Sequence, residues 1–140
     1  MHDILTVTFR WLHIASVITL LGGILFARFA VAPAIANQPN LAEAIAARFR
    51  PIFYGSALLA VLSGVYNFLQ KVHPPKPYHA IFGIKMLLVL HILAAGYLAL
   101  KPNQPKRNRQ FTGIVISGLV IVALSAVLRL ISNVPVLVTP

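Results

Sequence analysis

Apolar residues fill this chain in four long blocks, at about 8–32, 51–69, 78–100 and 111–131, with short polar segments between them. The blocks are apolar on every side and show neither the single stripe of a soluble helix nor the alternation of a strand. A bilayer core is crossed by about 20 apolar helical residues, and inside it every backbone polar group must bond within its own helix. The pattern predicts an all-α integral membrane four-helix bundle with short loops. One such domain takes up all 140 residues.

Local signals bound the spans. Arg10 and Trp11 stand at the entrance of the first, as interfacial anchors do, and the span is expected to end before Pro33. Arg28, near its far end, is placed to snorkel to headgroups. In PAIANQPNLAEAIAARFR (33–50), Asn40 with Glu43 three residues on reads as the start of a short helix through Arg48. Leu41, Ile45 and Phe49 fall at helical spacing, so this segment is either an interfacial helix or a loop helix packed on the bundle. Pro51 suits the first turn of the second span, and KVHPPKP (71–77) reads as a non-helical connection. Gly22 and Gly23, then Gly55, Ser56, Ser63 and Gly64, then Gly113 and Gly118, are small residues that let helices approach closely.

Composition agrees: 59% of residues are hydrophobic and 10% charged, against roughly 25% charged in a soluble domain. Cysteine is absent, which excludes disulfides, thiolate metal sites and covalent haem attachment but leaves His-ligated haem or copper open. The start, MHDILTVTFR, lacks a basic n-region, so the first span is expected to be retained.

The net charge of +10 comes from 12 Lys and Arg against Asp3 and Glu43. These cations sit mostly at span ends and loops, which points to headgroups and topology and argues against nucleic acid. Arg28, Arg48, Arg50, Lys101, Lys106, Arg107 and Arg109 share one side, and Arg10, Lys71, Lys76 and Arg129 the other. The bias predicts both termini outside the cytoplasm, in a bacterial inner membrane.

Candidate chemistry lies in the few polar groups within the spans. His13, on a face with Arg10, Val17 and Leu20, is a candidate ligand for haem iron or copper, or a structural histidine bonded to a neighbouring helix. His91, near the middle of the third span, is a candidate ligand or proton relay. At 1.5 Å per residue the two differ in depth by roughly 12 Å, which weakens a simple bis-His pair. His79 is a rival second ligand, and His2, His13, His73 and His79 together would suit copper. Lys85 has no intramembrane carboxylate to meet, so its complement is a neutral acceptor, a cofactor anion, a lipid or another subunit. With Arg10 and Arg129 it puts three cations near one interface, a complement to haem propionates or lipid phosphates.

WLHIASVITLLGGILFARFAV (11–31) resembles the first helix of the copper-resistance-D-like family and, more distantly, that of the four-helix membrane protoporphyrinogen oxidases. Both show an early Leu-His pair, here Leu12–His13. LSGVYNF (62–68) and GIKMLLVLHILAAGY (83–97) resemble later helices of the same group. The oxidase resemblance implies b-type haem and assigns activity to His13 and Lys85, although LFARFAV (25–31) stands where that family has a Leu-Pro-Arg run. The copper resemblance implies copper import or tolerance.

These readings combine into a membrane protein binding haem b, with His13 as an axial ligand, His91 or His79 second, and Lys85 and Arg10 on the propionates. Its partners would be a quinone, an external redox protein or neighbouring membrane subunits. A copper transport or tolerance protein and a cofactor-free structural subunit are the alternatives.

Overall fold

The computed structural model describes residues 2–70 and 76–133. The chain is an all-α bundle of four long helices: α1 (His2–Phe26), α2 (Pro39–Leu69), α3 (Lys76–Ala99) and α4 (Arg107–Asn133). Each is long and apolar enough to cross a membrane. The protein is an integral membrane protein.

The two prolines act differently from what the sequence suggests. Pro33 does not stop the first span. The helix widens into a π turn over Ala27–Val31, where the Ala32 N–H reaches back to the Ala27 carbonyl, and then continues through Ala32–Ala34. A proline ring would clash with the carbonyl four residues earlier in an α-helix, and a wider turn relieves that clash. Pro51 begins nothing: α2 runs unbroken through it for 31 residues. At 1.5 Å per residue that is about 46 Å, well beyond a 30 Å hydrocarbon core. The segment expected as a separate helix is therefore the first third of α2, about the length by which the helix exceeds the core. Pro39 occupies its first turn and Gln38 precedes it, so Asn40 is not the cap. The third helix likewise starts at Lys76, with Pro77 in its first turn, where a missing N–H costs no helical bond.

The helices pack as two hairpins, α1 on α2 and α3 on α4, joined through α1 against α4. The core runs along that junction and includes Ile24, Phe53, Leu100 and Ile114. Glycines set the closest approaches: the Phe49 ring lies over Gly23, Phe53 over Gly96 and Leu21 over Gly118.

The end carrying the α1 C-terminus and the residue 100–107 connection is tied by arginines. Arg28 Nε donates to Thr112 Oγ1 (2.8 Å), and Arg50 Nε to the Leu100 carbonyl (3.1 Å). Arg107 donates to the carbonyls of Ala99 (2.8 Å) and Lys101 (3.0 Å) and pairs with Glu43 (2.8 Å). Arg28 thus bonds across the bundle and stacks at 5.3 Å over Phe29, where snorkelling was expected.

Candidate functional site

All four helices line a cavity of about 140 Å³ inside the bundle. α2 and α3 meet through aromatic contacts at both of its ends. Phe53 presses on Gly96 at one end. At the other, Phe68 stacks on Phe82 (ring centroids 4.2 Å apart) and lies 6.4 Å from Tyr78. Between these contacts α2 offers small side chains, Ala57, Ala60 and Gly64, and the space they leave is the cavity. Its wall is apolar apart from His13 and Lys85, and Met86 is also among the lining residues.

His13 is held from one side. Its Nδ1 lies 2.9 Å from the Ala60 carbonyl oxygen and 3.1 Å from Ser63 Oγ. A carbonyl only accepts, so Nδ1 carries the proton and donates. Ser63 gives its own hydrogen to the Leu59 carbonyl, which leaves its oxygen free to accept from the imidazole. In the neutral ring the lone pair therefore sits on Nε2. A backbone acceptor on one nitrogen, fixing the other for coordination, is how proteins prepare a metal-binding histidine. Gly64 makes room: a Cβ there would lie 3.2 Å from His13 Cε1.

Lys85 lines the same cavity. The similar depths expected of these two residues agree with their lining one cavity. His91 does not join them. It is exposed on the bundle surface, its Nε2 is 3.6 Å from where a Gly113 Cβ would stand, and it is not part of the cavity wall. His79 is also exposed, edge-on to Tyr78 at 6.3 Å, and Arg10 is exposed about two turns past the start of α1, not at its entrance as the sequence suggests. Neither lines the cavity. His73 and the side chain of His2 lie outside the described residues. Among the described residues no three His, Asp or Glu side chains converge on a metal position.

Cofactor-sized pockets measure about 300–1,000 Å³. The His13 cavity is less than half the lower figure, so a haem does not fit between these helices as they stand. A larger recess of about 570 Å³ lies at the arginine-tied end, lined by Ile45, Phe49, Phe111, several side-chain amides and the Glu43–Arg107 pair. No histidine lines it.

Sequence reasoning missed Met86, the Ala60 carbonyl and the hydrogen-bonding role of Ser63. Met86 adjoins Lys85, and its sulfur was a readable signal for a soft metal. Ser63 carried only a small-residue signal, and a backbone carbonyl carries none.

Residues 1–73 match the family described as "Copper resistance protein D-like, N-terminal domain". No curated protein and no solved structure matches the chain.

Proposed function

The chain belongs to the copper-resistance-D-like family through residues 1–73, and from that premise we propose that it handles copper in the membrane, in transport or tolerance, with Cu(I) as the cargo. The observation that carries this reading is the locked imidazole of His13, whose Nδ1–H is bound to the Ala60 carbonyl while the ring lines a cavity shared with Met86. Imidazole suits copper, and a thioether selects the soft monovalent ion. The Lys85 ammonium opposes a cation beside it and weakens binding. Weak binding suits passage, because a transported ion must leave as well as enter. The excess of cations at the arginine-tied end supports an orientation with both termini outside the cytoplasm of a bacterial inner membrane.

A second reading, b-type haem exchanging electrons with a quinone or an external redox protein, is favoured by one observation: His13 and Lys85 share a cavity. It requires the helices to part.

One preparation tests both readings. The full chain is purified gently in detergent, supplied with Cu(I) under argon, and analysed for copper, iron and reduced-minus-oxidised absorbance. The copper reading expects bound Cu(I) that is lost in His13→Ala and reduced in Met86→Leu, with no Soret band. A Soret band lost in His13→Ala would replace it with the haem reading, and protein that takes up neither metal would refute both.

A further inference from the structure

The larger recess, of about 570 Å³, lies where three segments meet: the π turn after α1, the first third of α2, and residues 103–108, which lead into α4. Its size falls in the range of small-molecule sites. Its wall changes character with depth. Ala46 and Phe111, both buried, and the half-buried Phe49 form an apolar floor continuous with the core. Asn40, Asn103 and Asn108 are exposed at its mouth, and among the described residues their side-chain amides make no hydrogen bond. From Asn40 to Phe49 α2 rises about 14 Å, within the part of the helix that exceeds the hydrocarbon core. The recess thus runs from headgroup level down to the apolar interior.

Charge at this end is one-sided. The chain has two side-chain carboxylates. Asp3 is in the first turn of α1, at the other end of the bundle, and Glu43 is held by Arg107 at 2.8 Å. Lys101, Lys106 and Arg109 are exposed on the same connection and first turn of α4 that line the recess, and no side-chain carboxylate is left for them.

We propose that the recess binds one anionic phospholipid of the adjoining leaflet, with an acyl chain against Phe49 and Phe111 and the phosphate among the amides and these three cations. Side-chain amides carry N–H donors for phosphate oxygens, and basic pockets between membrane helices hold such headgroups. A free phosphate would leave the apolar floor unused, and a zwitterionic lipid would bring a cation of its own to a mouth already rich in them. The inference stands apart from the copper reading, because the two cavities share no lining residue.

Full-length protein, stripped of lipid in detergent, is titrated with phosphatidylglycerol, phosphatidylcholine or inorganic phosphate, and the bound species are counted by native mass spectrometry. One phosphatidylglycerol is expected to bind at least about 5-fold more tightly than phosphatidylcholine, the factor that one cation near an anionic lipid supplies. Inorganic phosphate should not displace it. Asn103→Asp and Asn108→Asp add a negative charge at exposed positions of the mouth and should each weaken it about 5-fold. Ala42→Phe keeps every charge and fills the recess from a half-buried position in its wall, so it should abolish the tight site. Arg129→Gln, at the far end of α4, should change nothing. Equal binding of the two lipids, displacement by phosphate, or a tight site that survives Ala42→Phe would overturn the proposal. Undiminished binding in both aspartate variants would overturn it as well, and these variants report on the site even where Ala42→Phe fails to fold.

Discussion

Gly64→Ala separates the locking of His13 from the stability of the bundle. The added Cβ would stand 3.2 Å from His13 Cε1 and 3.5 Å from Nδ1. Carbon–carbon contacts are best at about 3.5–4.0 Å, so the ring must withdraw by about 0.3 Å. Both of its acceptors, Ala60 and Ser63, belong to α2, the helix that carries Gly64. Withdrawal therefore lengthens both contacts. From 2.9 Å the bond to Ala60 survives at its limit, while the 3.1 Å contact to Ser63 passes beyond the N–H···O range.

Losing one such bond costs about 0.5–1.5 kcal/mol. If the locked ring binds Cu(I), its affinity falls about 2- to 10-fold. Replacing glycine by alanine inside a helix returns up to about 1 kcal/mol, so bundle stability changes little. Competition with a chromophoric Cu(I) chelator measures the affinity, and unfolding in mixed micelles measures the stability. Gly22→Ala is the control, because a Cβ there meets nothing within 4 Å. Unchanged affinity in Gly64→Ala, or an equal loss in Gly22→Ala, would refute the link between the lock and the metal.

Two further substitutions test what holds the bundle. Gly96→Ala drives a methyl into the Phe53 ring, which is 1% exposed and has no room to retreat; a loss of about 1–3 kcal/mol is expected in micellar unfolding, whereas Gly55→Ala, facing open space, should be neutral. Arg107→Gln removes the Glu43 ion pair together with donors to two carbonyls near the end of α3, so it should cost about 2 kcal/mol or more, while Glu43→Gln, with a side chain 35% exposed, should cost less than about 1 kcal/mol; equal losses in the two variants would mean that the ion pair alone does the work.

The four spans were legible because length and uniform apolarity leave a chain few alternatives in lipid. The ends of the spans were less so. A proline says that one hydrogen bond is missing, not how the helix absorbs the loss. Pro33 is accommodated by a π turn and Pro51 within an unbroken helix, although both read as boundaries. The site was half legible. His13 and Lys85 stood out as polar groups in apolar spans, and their depths could be counted. Which face each residue presents could not be counted, because four helices that are apolar all round carry no stripe to orient them. His91 therefore looked as eligible as His13 until packing put one outside the bundle and the other within it.

The position of the cavity bears on how its chemistry is controlled. His13 and the groups that hold it, Ala60 and Ser63, belong to the α1–α2 hairpin, and the family match covers that hairpin. Lys85 and Met86 come from the other hairpin. The imidazole's geometry is thus fixed inside one rigid pair of helices, and the charge and sulfur placed against it depend on how the two pairs dock. That docking is set in part at the α1–α4 contact, where Leu21 lies over Gly118 and both residues also line the cavity. A small shift there would move the ammonium and the thioether relative to Nε2 without disturbing a hydrogen bond of His13. Two packed hairpins have discrete arrangements rather than a continuum. A site split across them can present different groups to Nε2 in different arrangements while its histidine stays locked, and the proposed passage of copper would use such a difference.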